Sequence, residues 1–119
     1  MKYLLMLYAD EKAGAQLPKE KMAEFMGQMY AYQDALKKAK AFISTNPLAP
    51  TNQASTVKVR GENAVVEDGP YAETQEQLGG YFVIEAADVE AAQQWAARCP
   101  AATWGTIEVR PILDLGGVA

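Results

Sequence analysis

Six consecutive residues from Tyr3 to Tyr8, Tyr-Leu-Leu-Met-Leu-Tyr, are apolar or aromatic. The run from Lys2 to Tyr8 has the length of a strand and falls far short of the ~20 residues that span a bilayer. The stretch ADEKAGAQ reads as a loop, and Pro18 suits the first position of a helix, where its missing N–H would be unpaired anyway. From there Met22, Phe25, Met26, Met29, Tyr30 and Leu36 recur at intervals of three and four. That spacing predicts an amphipathic helix reaching about Lys40, with its methionine and aromatic stripe in the core. Phe42 to Ser44 reads as a short strand, followed by the Pro-containing loop TNPLAPTN. Ser55 to Arg60 alternates apolar and polar residues, Gly61-Glu62-Asn63 turns the chain, and Ala64 to Glu67 completes a hairpin. Gly80 to Ala86 is a further strand. Asp88 caps a second helix that runs through Val89, Ala92, Trp95, Ala96 and Cys99 until Pro100 stops it. Thr106 to Ile112 is the last strand.

The order strand, helix, strands, helix, strand predicts an α+β, ferredoxin-like sheet with helices on one face. The strands carry more apolar residues than that architecture needs. Leu4, Met6 and Tyr8 oppose Tyr3, Leu5 and Leu7 across the first strand, and Tyr81 and Val83 oppose Phe82 and Ile84 on the later one. A sheet with one solvated face alternates to polar residues there. Apolar residues on both sides therefore predict dimerisation through the other face, closing an α/β barrel. Residues 1–114 are expected to form a single domain and 115–119 a loose tail.

Composition narrows the partners. The 119 residues are 50% hydrophobic and 22% charged, with a net charge of −4, so a core is affordable and a phosphate-binding basic surface is absent. Lys37, Lys38 and Lys40 read as a solvated helix face. No nucleic acid or membrane partner is expected, and the location is expected to be cytoplasmic. There is one cysteine and no histidine, which removes intramolecular disulfides and any nucleophile paired with histidine. Asp10-Glu11 and Glu73 with Glu76 do not match a loop for hard cations. Neither a metal nor another cofactor is expected. Cys99, at the negative end of a helix dipole, reads as a core thiol.

Candidate chemistry gathers around DGPYAETQEQLGG, residues 68–80. Asp68-Gly69-Pro70 is a turn sequence, and Thr74 with Gln77 matches a capping box, predicting a short helical turn that Gly79-Gly80 ends. Asp68 at a strand end, beside Tyr71, Glu73 and Tyr81, has two readings. It caps the turn through its carboxylate, or it lies against aromatics as an acid/base group whose pKa burial raises. Tyr8 and Arg110 complete the candidate ligand-binding set, with Arg110 also placed to pair with Glu108 on the same strand face.

The stretch DGPYAETQEQLGGYFVIEA, with WAARCPAA and GTIEVRPI, resembles the DGPF-domain family within the YCII-related proteins, and the similarity runs from MKYLLMLYADE to RPI. Tyr71 stands where the family name has phenylalanine, and Gln75 where lysine is frequent. The resemblance implies a ferredoxin-like fold dimerising into an α/β barrel, bacterial origin and an association with extracytoplasmic-function sigma factors. Some relatives carry a histidine and aspartate proposed as a catalytic pair, and this chain has no histidine to supply it. Three functions follow as expectations: a homodimer holding a small apolar or aromatic ligand, a cofactor-free isomerase or lyase using Asp68, or a regulatory partner of a sigma factor.

Overall fold

The computed structural model describes residues 1–116. Four strands form one antiparallel sheet: β1 (Lys2–Ala9), β2 (Phe42–Pro47), β5 (Gln77–Glu85) and β6 (Thr106–Pro111), in the order β2-β5-β1-β6. Between β2 and β5 the chain inserts a separate two-stranded hairpin, β3 (Ser55–Arg60) and β4 (Asn63–Asp68). Setting that insertion aside, the order β-α-β-β-α-β is ferredoxin-like. Three helices accompany the strands among the described residues: α1 (Glu11–Ala15), α2 (Lys19–Lys38) and α3 (Val89–Arg98).

The pleat of β1 and β5 sorts the core. Tyr3 and Leu5 on β1 pair with Ile84 and Phe82 on β5, and all four are buried. Tyr32 and Leu36 from α2, Ala92 and Ala96 from α3, and Cys99 close over them. The Tyr32 hydroxyl donates to the Trp95 carbonyl at 2.7 Å, which satisfies the one polar atom that this tyrosine brings inside. Asp88 caps α3 by accepting from the Ala91 N–H at 2.9 Å. Gly105 precedes β6 where no side chain fits, because a Cβ would sit 1.9 Å from the Tyr8 carbonyl oxygen.

Several expectations change. The loop after β1 contains the short helix α1, capped by Asp10, whose carboxylate accepts from the Lys12 and Ala13 N–H groups. Thr74 and Gln77 form no helical turn: both hydrogen-bond locally, Gln77 already opens β5, and Gly79-Gly80 lie within that strand. The capping-box pattern was outcompeted by pairing with β1, whose register shifts between Leu7 and Tyr8 so that Gly79 is left over. The carboxylate of Asp68 does not hold the following turn. Gly69 takes φ 102°, a conformation reserved for glycine, and its N–H donates to the Ala54 carbonyl at 2.7 Å. Thr56 adds a bond from its hydroxyl to the Gly69 carbonyl at 2.9 Å. Of the tail expected from residue 115, residues 117–119 lie outside the described residues.

No helix among the described residues covers the second face of the sheet. Leu4, Met6, Tyr8, Tyr81 and Val83 lie side by side there, half-buried, flanked by Arg110 and Glu108 on β6 and by Asn46 on β2. The hairpin is barer still: Val57 and Val66 face each other across it at 60% and 64% exposure.

Candidate functional site

The helix-covered face closes at one end and opens at the other. Along β5 the positions facing the helices are Ile84, Phe82 and then Gly80. The last offers no side chain. A Cβ there would lie 3.2 Å from the Asn46 carbonyl oxygen, so the approach of β2 keeps the position small. Thr45 on β2 and Ala101 after α3 are also small. The result is a cavity of about 300 Å³ between the end of the sheet and the middle of α2.

Its helical wall is the methionine stripe. Tyr32 and Leu36 in the second half of α2 reach the core, but Met26 is 39% exposed and, with Phe25, Met29 and Gln33, lines the cavity. The expectation that the whole stripe is core therefore fails at Met22 and Met26, while Met29 both lines the cavity and packs against the core and Leu36 is fully buried. Phe25 is fixed from behind by Trp104, edge to face at 4.6 Å between centroids. The lining residues include no Asp, Glu, Lys or Arg.

The structure brings two of the expected site residues to this cavity, Tyr8 near the end of β1 and Tyr81 midway along β5. Their side chains alternate toward the uncovered sheet face, where the Tyr81 hydroxyl accepts from the Asn46 amide at 2.8 Å. The others lie elsewhere. Asp68 is exposed at the end of β4 and does not line this cavity. Tyr71 is 83% exposed, with the Lys58 ammonium 5.8 Å from its ring centre. Arg110 is bonded to Glu108 at 2.8 Å on β6.

Glu73 lines a separate polar cleft of about 470 Å³ beside Asp10, Glu11 and Gln77. The cleft's first two acids are engaged in the fold: Asp10 caps α1, and Glu11 accepts from the Thr51 N–H at 2.8 Å and its hydroxyl at 2.7 Å. No group of three or more His, Cys, Asp or Glu among the described residues is arranged to hold a metal ion. Cys99 is buried, and burial pushes its thiol up to about 11, against a smaller opposing effect of the backbone bond from Ala101. It is a core group and no nucleophile at neutral pH.

The YCII-related domain model matches residues 1–116. The chain belongs to the YCII-related family. An uncharacterised protein of Rhizobium meliloti (strain 1021) is 32% identical over 114 residues, covering 94% of this chain and 92% of that one. Among solved structures, the chain is similar to 5-chloro-2-hydroxyhydroquinone dehydrochlorinase from Burkholderia phenoliruptrix AC1100, in complex with 2,5-dihydroxybenzoquinone. That likeness covers 95% of this chain and 94% of that chain at a TM-score of 0.52 and 14% identity, which shows a shared fold. No helix among the described residues is long and apolar enough to cross a membrane.

Proposed function

We propose that this YCII-related protein binds a small apolar or aromatic molecule in the cavity between α2 and the sheet. The observation that carries the reading is the cavity itself: about 300 Å³, bounded by Phe25, Met26, Met29, Leu7 and Phe82, where an ordinary core would have closed. Such a volume lies at the small end of the range for ligand sites, of the size of a one-ring compound. Methionine walls suit this role because an unbranched thioether adapts to the shape it meets. The fold's occurrence in a dehydrochlorinase holding a one-ring dihydroxybenzoquinone agrees with the size.

The working form in this reading is a homodimer. The chain has a radius of gyration of 16.4 Å, whereas a compact chain of this length has about 13.5 Å. The excess is consistent with a flat two-layer body bearing a projecting hairpin. A second copy would cover Leu4, Met6 and Val83, and an isolated two-stranded hairpin is marginal in water without such cover. Sedimentation equilibrium at micromolar concentration should give twice the chain mass; a monomer would remove the dimer from this reading.

Binding is tested by ligand-observed NMR with a panel of one-ring compounds against the wild type and Ala101→Leu. Ala101 lines the cavity, and the added side chain should fill it. At least one compound should bind the wild type and lose binding in the variant. A panel that binds neither protein, or both equally, contradicts the proposal.

A further inference from the structure

The cavity's side-chain polar groups are few enough to be followed one by one, beginning with the Tyr8 hydroxyl, which donates to the Met6 sulfur at 3.9 Å. The Thr45 hydroxyl donates to the Tyr81 carbonyl at 2.8 Å, so it is engaged within the sheet. The Asn46 amide is bonded to the Tyr81 hydroxyl on the uncovered face. Tyr30 is 62% exposed and open to solvent. Gln33 remains. It is half-buried on α2, seven residues after Met26 and on the same helix stripe. Its side-chain amide makes no hydrogen bond to protein among the described residues and is not sealed from solvent, so a ligand that covers it must replace water there.

We infer that the cavity selects an uncharged one-ring ligand bearing a hydroxyl or carbonyl, and that Gln33 is the residue that reads that group. The inference deepens the binding role proposed for this cavity and rests on it. Charge is excluded by the lining: without an acid, a base or a metal to pair with, an ionised ligand would surrender its hydration uncompensated. A hydroxyl or carbonyl is admitted because the glutamine amide both donates and accepts. Bare hydrocarbon gains the apolar contact but leaves the amide unpaired, and a half-buried polar group without a partner opposes binding.

Toluene, phenol and benzoate serve as probes, titrated by NMR at pH 7 into the wild type, Gln33→Leu and Gln33→Met. Both substitutions place strong helix formers on α2, and circular dichroism confirms that each variant is folded. Phenol should bind the wild type at least about tenfold more tightly than benzoate. The phenol-to-toluene affinity ratio should fall about three- to tenfold in both variants, the worth of one hydrogen bond. Comparing that ratio between proteins cancels the different hydration of the two probes. Benzoate binding as tightly as phenol overturns the selection for neutral ligands. A ratio unchanged in both variants overturns the role of Gln33 while leaving the cavity a binding site. If none of the probes binds the wild type, the binding role falls and takes this inference with it.

Discussion

The two halves of α2 share one sequence pattern and meet opposite surroundings. Toward the C-terminus, Tyr32 and Leu36 face Phe82, Ile84 and Ala92, and the space is filled. Toward the N-terminus, Phe25, Met26 and Met29 face Gly80, Thr45 and Ala101, and it is not. Periodicity determines which side of a helix turns inward, but the volume of the residues opposite decides whether that side is core or wall. The difference separates stability from binding along a single helix.

The largest expected effect breaks the closed half. Leu36 is fully buried, so Leu36→Ala should cost about 2–5 kcal/mol in urea unfolding through lost transfer energy and a cavity. The same truncation at Met26, 39% exposed, should cost under about 1 kcal/mol. Equal losses at the two positions would erase the distinction between core and wall.

A pH titration sharpens the contrast, because the closed half also holds the displaced ionisations. Burial raises Cys99 from 9.0 to about 11. Tyr32 is raised by burial first and by the neighbouring Cys99 second, with Arg98 opposing. Between the unfolded and folded values the unfolded chain has released protons that the folded chain still holds, so stability falls as pH rises. Melting temperature should therefore decline from about pH 9 to 11 and decline less steeply in Cys99→Ala, whereas Met26→Ala should retain the wild-type slope.

The smallest effect lies outside both halves. The Glu108–Arg110 pair is short but solvent-exposed, so Arg110→Gln should change stability by less than about 1 kcal/mol. A ligand affinity unchanged in that variant would agree with its distance from the cavity. A large loss would return Arg110 to the site.

Much of the fold was legible because local signals and packing agreed. β1, β3, α3 and the Asp88 cap fall where alternation, apolar runs and capping chemistry put them. The resemblance carried by DGPYAETQEQLGG pointed to the family that the domain match shows. Thr74 to Gln77 misled because a capping box is a local preference, and pairing with β1 supplied more hydrogen bonds than one helical turn. The site was legible only in part. Tyr8 and Tyr81 border the cavity from β1 and β5, whereas Asp68 and Tyr71 of the polar loop lie apart from it. Nothing in Met26 or Gln33 alone distinguishes a cavity wall from core. That distinction comes from Gly80, a partner 54 residues beyond Met26 in the sequence and next to it only after folding.

The measurement closest to the central claim uses protein labelled with ¹³C at the methionine methyl groups and titrated with phenol. Met26 and Met29 line the cavity, whereas Met6 lies on the opposite sheet face and Met1 at the chain start. The account predicts saturable shifts at Met26 and Met29 with a single dissociation constant, and none at Met1. Shifts confined to Met6 would place the ligand on the uncovered face, and saturating binding that leaves Met26 and Met29 unmoved would contradict the claim that α2 walls a binding site.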